Sequence, residues 1–136
     1  MTNKDKSSKG KQGPRKLRVL LPRYNTGNCE DMKAEASKTD LETAYEKNSS
    51  QVQCFINNKP KWNKDLGIFT LNFYDRITKL SVKNFQLVDR NDKDCAVLMQ
   101  FGKVSDNSYH LDYQYPFSLF QAFAVALSSF DSKLFV

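Results

Sequence analysis

The sequence predicts a mainly β protein of the α+β class, an antiparallel partial β-barrel of about six strands packed around a C-terminal hydrophobic helix. Three observations carry this. Short runs in which every second residue is apolar recur along most of the chain. The segment "YPFSLFQAFAVALSSFDSK", residues 115–133, has no charged side chain between Phe117 and Phe130 and is rich in alanine, so it reads as a helix apolar on every side. A chain of 136 residues with 40% hydrophobic content suits one domain, and the strands before that helix must enclose it, which a curved sheet does.

The elements follow in order. Residues 1–12, "MTNKDKSSKGKQ", predict a basic disordered tail, leaving 13–136 as the folded domain. "RKLRVLLPRY" sets Leu17, Val19 and Leu21 against Lys16 and Arg18 and stops at a proline, as a strand does where its ladder breaks. The polar region 25–50 interrupts the rhythm. Within it "TDLETAYEK" pairs Thr39 with Glu42 as a capping box for a short connecting helix. Strand patterns then resume: Val52, Cys54 and Ile56 share one face of "QVQCFIN", Phe69, Leu71 and Phe73 one face of "IFTLNFYDR", and Val97, Met99 and Phe101 one face of "AVLMQFGKV". "SVKNFQLV" is strand-like with ambiguous facing. "SYHLDYQY" alternates Tyr109, Leu111, Tyr113 and Tyr115 against His110, Asp112 and Gln114.

For the helix, with Pro116 near its first turn, Phe120, Phe123, Leu127 and Phe130 follow helical spacing and are expected to form the core face. Their expected partners are Tyr109, Leu111, Tyr113, Phe69, Leu71 and Phe73. The smaller face of Ala122, Ala126 and Ser129 is then left for a further half-barrel or a second copy.

Charge is unevenly spread. The net charge is +6, yet residues 1–23 alone carry +7 and the other 113 residues sum to −1. Lys9, Lys11, Arg15, Lys16 and Arg18 are therefore the expected contacts with an acidic partner, either an anionic membrane surface or nucleic acid. Cys29, Cys54 and Cys95 lie far apart, are odd in number and lack C-x-x-C spacing, which predicts reduced thiols. No apolar stretch has the length of a membrane span or the place of a signal peptide. These features predict a cytoplasmic, peripheral membrane or nuclear protein.

Catalytic and metal constellations are thin. The single histidine, His110, stands two residues from Asp112 on one strand face, but no serine or cysteine nucleophile accompanies them by spacing. "DRNDKD", Asp89 to Asp94, lacks the central glycine and closing glutamate of a calcium loop and reads as a solvated turn. The expectation is a non-enzymatic protein without metal or cofactor. Trp62 beside Lys59 and Lys61 could stack on a nucleobase or lipid headgroup; a buried aromatic anchor at a strand end is its expected role.

Two segments carry a family resemblance. In "FYDRITKLSVKNFQ", Phe73, Arg76, Thr78, Ser81, Val82, Lys83, Asn84, Phe85 and Gln86 match one signature of the tubby family, while Tyr74, Asp75, Ile77 and Leu80 depart from it. In "QAFAVALSSFDSKLFV", Ala122, Phe123, Ala124, Leu127, Ser128, Ser129, Phe130, Ser132 and Lys133 match a second signature; Val125 is a mild change and Phe135 and Val136 replace the usual ending. "GPRKLRVLLP" and "NNKPKWN" resemble family segments as well, so the likeness runs from about Gly13 to Leu134. The chain resembles the C-terminal half of a tubby domain.

That resemblance implies a closed β-barrel threaded by a hydrophobic C-terminal helix. It also implies recruitment to membranes through phosphatidylinositol 4,5-bisphosphate, a role in ciliary and membrane-protein trafficking, and an association with nuclear regulation. The headgroup pocket it implies belongs mainly to the half before "GPRK", where this chain has its lysine-rich stretch. The chain is accordingly expected to be a fragment, to complete its barrel with a second copy or a partner, or to close into a smaller sandwich. Its lipid binding is expected to be weak.

Overall fold

The computed structural model describes residues 16–23, 40–47 and 50–131. In chain order the elements are β1 (Arg18–Pro22), α1 (Leu41–Lys47), β2 (Val52–Asn57), β3 (Lys61–Asn63), β4 (Ile68–Thr70), β5 (Phe85–Asp89), β6 (Val97–Ser105), β7 (Ser108–Tyr113) and α2 (Leu119–Ser128). Five strands form an antiparallel sheet in the order β1-β2-β5-β6-β7, which curls into a half-barrel with α2 against it. β3 and β4 pair only with each other, as a hairpin between β2 and β5. The expected partial barrel with a C-terminal helix is therefore present, with seven strands in two sheets among the described residues.

Alternation along the strands sorts side chains onto two faces. The inner face carries Leu21, Phe55, Phe85, Leu87, Met99 and Phe101, with Leu17, Val19, Tyr109 and Leu111 packed against them. Phe117, just before α2, is buried in this core with its ring tilted against that of Phe55, centroids 4.7 Å apart. Val52 and Cys54 share the opposite face of β2 and are also buried, on the side of the sheet away from Phe55. The nine-residue β6 is long enough to pair with β5 along one edge and β7 along the other.

The helix lies on this sheet by the face opposite to the one the sequence suggested. Ala122 is 0% exposed and Ala126 and Ser129 are buried, whereas Phe120 is 81% exposed and Phe123 and Leu127 are also open. The reason is volume. The sheet surface beneath is already filled by Phe55, Leu87, Met99 and Phe101, so a helix can approach closely only where its side chains are small. Phe130, beyond the last helical turn, still meets Tyr109 edge-to-face at 5.1 Å and Phe101 at 6.0 Å. Phe69, Leu71 and Phe73 do not join this core: the strand ends at Thr70, and Phe69 pairs with Trp62 in the hairpin.

Both helices are capped by local side chains. For α1 the cap is Asp40, whose carboxylate accepts from the Thr43 amide at 2.8 Å and the Thr43 hydroxyl at 3.0 Å, and these bonds hold its pKa below the usual carboxylate value. Thr39, the expected cap, lies outside the described residues. For α2, Ser118 Oγ accepts from the Gln121 amide at 3.2 Å while Gln121 Oε1 accepts from the Ser118 amide at 3.0 Å, a reciprocal capping box. Pro116 therefore precedes the helix and does not belong to its first turn.

The segment 71–84 fastens along the outer side of β6. The Lys79 amide donates to the Lys103 carbonyl at 3.0 Å, and Asn84 Oδ1 accepts from the Lys103 amide at 2.9 Å. Asn84 Nδ2 donates back to the Lys79 carbonyl at 2.8 Å. Gly102 makes room for this: a Cβ there would stand 2.5 Å from Ile77 Cγ2 and 2.9 Å from Asn84 Oδ1.

Two outcomes follow for urea unfolding. Phe120→Ala is expected to shift stability by under about 0.5 kcal/mol, as for other exposed positions, while Phe55→Ala costs about 3–5 kcal/mol and Ala122→Glu at least comparably disrupts the fold. Gly102→Ala, although only one methyl larger, is expected to cost about 1–3 kcal/mol because Ile77 and Asn84 must move.

Candidate functional site

The outer face of the sheet carries a polar ladder in place of a cleft. Register sets Gln86 beside Gln100 and Gln100 beside Asp112, so one row of polar side chains crosses β5, β6 and β7. Gln86 Nε2 donates to the Asn72 carbonyl at 2.7 Å and to Gln100 Oε1 at 3.2 Å. Gln100 Nε2 donates to Asp112 Oδ2 at 2.8 Å. Arg76 closes the row with a bidentate grip on Asp112, Nη2 to Oδ1 at 2.8 Å and Nε to Oδ2 at 3.1 Å. Gln86 and Gln100 are both buried, and among the described residues no buried side-chain polar atom lacks a partner.

This ladder decides the role of His110 and Asp112. They share a strand face, as the alternation predicted, but each addresses Arg76: Asp112 its guanidinium, and His110 its carbonyl, to which Nδ1–H donates at 2.7 Å. Neither is poised toward a nucleophile. The Arg76 hydrogen bond depresses the Asp112 pKa most, with further lowering by Gln100, and it raises that of Arg76. A shallow depression of 140 Å³ lies beside Gln100 and Asp112, well below the roughly 300 Å³ where small-molecule sites begin.

The acidic run 89–94 is likewise spent on its own turn. Asp89 Oδ1 accepts from the Asn91 amide at 2.8 Å, and Asp92 accepts from the amides of Asp94 at 3.1 Å and Ala96 at 2.9 Å. Among the described residues no group of three or more His, Cys, Asp or Glu side chains is arranged to hold a metal ion.

The cationic candidates divide. Lys9, Lys11 and Arg15 lie outside the described residues. Lys16 is exposed, and Arg18 forms an exposed ion pair with Glu42 of α1 at 2.5 Å. The Leu17 amide donates to Asn57 Oδ1 at 2.8 Å, and the Asn57 amide donates to the Leu17 carbonyl at 3.2 Å. The segment bearing Lys16 thus enters the sheet at the end where β2 runs on into Lys59, Lys61 and Lys64. Trp62 in that segment is 52% exposed and is not the buried anchor the sequence suggested. Leu66 and Ile68 are exposed beside it and were not anticipated from the sequence; two apolar residues on either side of Gly67, just after Asp65, were the available signal.

The two signature segments meet in space. Lys83 Nζ sits 5.2 Å from the centre of the Phe130 ring, a cation–π contact that joins the stretch before β5 to the end of α2. The Tub family model matches residues 5–132. The chain belongs to the Tub family. It is 42% identical over 127 residues to Tubby-related protein 1 of Mus musculus, covering 92% of this chain and 23% of that protein. Protein king tubby 2 of Aedes aegypti is 43% identical over 130 residues, covering 92% of this chain and 31% of its own length. Tubby-related protein 3 of Mus musculus is 42% identical over 127 residues. The chain thus spans about a quarter to a third of the relatives it matches.

For this Tub family chain the signature residues have structural employment: Arg76 holds Asp112, Asn84 ties the outer segment to β6, Gln86 starts the ladder and Phe85 enters the core. Because the folded Asp112 carboxyl titrates below its unfolded value of about 3.9, its contribution to stability is present above that pH and is lost as pH falls through the folded pKa. Asp112→Asn is therefore expected to lower the thermal midpoint at pH 7, with the gap to the parent closing on acidification below about pH 4. A gap unchanged between pH 7 and pH 3 would remove the ion pair as its cause.

Proposed function

We propose that the chain is a non-enzymatic tubby-type binding module that is drawn to anionic, phosphoinositide-bearing membrane surfaces. Its place in the cell under this reading is peripheral to membranes, in the membrane-protein trafficking that the family resemblance implies, including that of the cilium. The observations that carry it are the concentration of positive charge in residues 1–23 of the sequence and the lysines that stand at one end of the sheet. Residues 1–23 hold a net +7, and Lys16 adjoins the end of β2 from which Lys59, Lys61 and Lys64 follow. Lys9, Lys11, Arg15, Lys16 and Arg18 are the proposed contacts; Arg18 exchanges its exposed Glu42 partner for a phosphate, a weak pair being readily traded. The outer polar ladder supports a binding role, since its candidate acid and base are held by Arg76 and by one another's neighbours.

A second reading, binding to nucleic acid through the same basic stretch, rests on the same charge. The two separate on one experiment. Vesicles with and without phosphatidylinositol 4,5-bisphosphate and a DNA duplex are compared at two salt concentrations. Weak, salt-sensitive vesicle binding that exceeds duplex binding is expected, falling about tenfold when residues 1–12 are deleted together with Lys16→Ala and Arg18→Ala. Tighter duplex binding would favour the second reading, and binding indifferent to the deletion would remove the basic stretch from either role.

A further inference from the structure

We propose that the β3–β4 hairpin is a wedge that inserts into the headgroup–acyl boundary of an anionic bilayer. This rests on the lipid-surface reading of the preceding charge distribution and names the element that enters the lipid. The hairpin stands apart from the main sheet and exposes four large apolar residues: Leu66 at 64%, Phe69 at 58%, Trp62 at 52% and Ile68. Their distribution is the telling feature. Trp62 and Phe69 are directly opposite in register and share one face, where their rings meet edge-to-face at 5.0 Å. Ile68 belongs to the other face by alternation, and Leu66 occupies the turn. A protein partner seated on a hairpin covers one face. Apolar groups on both faces and at the tip suit a medium that surrounds the element, which a bilayer interface does.

Two further properties fit that medium. Entry into a poorly hydrated layer requires that backbone donors be satisfied internally. Asn63 does this for the turn: its Oδ1 accepts from the amides of Asp65 at 2.9 Å and Leu66 at 3.1 Å, and its carbonyl accepts from the Gly67 amide at 2.9 Å. Gly67 supplies the positive φ of 63° that closes the turn. Charge complements an anionic surface, since Lys59, Lys61 and Lys64 outnumber Asp65 and none of the three lysines is in an ion pair among the described residues. Their long stems allow the ammonium groups to reach headgroup phosphates while the aromatic pair sinks below them. Lys64 and Asp65, close to the tip, confine the wedge to the boundary and keep it out of the hydrocarbon centre.

Trp62 is the single tryptophan of the chain, so its fluorescence reports on the hairpin alone. The full chain is mixed with vesicles of phosphatidylcholine containing phosphatidylserine and phosphatidylinositol 4,5-bisphosphate, with matched vesicles brominated at shallow acyl positions, and with pure phosphatidylcholine as control. Sedimentation reads binding; the emission maximum and bromine quenching read insertion. Expected are a blue shift and quenching on anionic vesicles only, and about a tenfold loss of binding for Leu66→Glu with Ile68→Glu, both solvent-facing positions. Sedimentation without a shift or quenching overturns the wedge and leaves the lipid reading standing. No sedimentation with any vesicle overturns both. Trp62 already shielded from aqueous acrylamide before lipid is added assigns the hairpin to a contact with a second copy and also overturns the wedge. The parent chain's quenching decides the matter even where the double variant folds poorly.

Discussion

The close approach of α2 to the sheet is the constraint on which the rest of the architecture depends. A helix of ten residues can sit over Phe55, Leu87, Met99 and Phe101 only if the residues between backbone and sheet are small, and Ala122, Ala126 and Ser129 meet that condition. Ser129 is buried with its hydroxyl returned to the Ala126 carbonyl at 2.7 Å, so even the one polar member of that face brings no unmet demand. Phe117 before the helix and Phe130 after it then act as end stops, one on Phe55 and the other on Phe101 and Tyr109. With the helix pinned at both ends, the large residues are turned outward as a geometric remainder.

The other side of the same sheet is organised by a different principle. There the row Gln86, Gln100, Asp112 and Arg76 passes hydrogen bonds from strand to strand, with the segment 71–84 laid over it. Such a row also protects the register. A slip of one residue would exchange Gln86 with Phe85 and Gln100 with Phe101, stranding amides in the apolar core and phenyl rings among carboxylate and guanidinium. Apolar packing on one face and polar pairing on the other therefore specify the same alignment, which is the agreement between levels expected of a sequence with one native state.

Much of this was legible beforehand, for identifiable reasons. Strands β1, β2, β6 and β7 were visible because alternation over five or more residues is a strong signal, and the helix because alanine-rich, uncharged segments have few other homes. Its facing was not visible, since a helix apolar all round carries no stripe to read; the decision turned on side-chain volume against a surface assembled from distant strands. Phe69 followed the period-two rule faithfully yet belonged to a separate hairpin, because periodicity identifies a strand without saying which sheet it joins. Ser118 with Gln121 could have been read as a capping box and would have set the helix start at Leu119. Trp62 escaped because a tryptophan beside a strand is usually covered, and what covers it is a tertiary property.

The hairpin leaves the main sheet after β2 and returns before β5 without contributing a strand to it. Its length and composition can therefore change while β2 and β5 keep the alignment that pairs Ile56 with Val88. The strands β5 to β7 and the segment 71–84 are instead tied into a register, a core or a polar row, where an insertion would propagate to their neighbours. In terms of descent, this makes the hairpin a place where members of the family can acquire different surface chemistry without renegotiating the architecture that carries it.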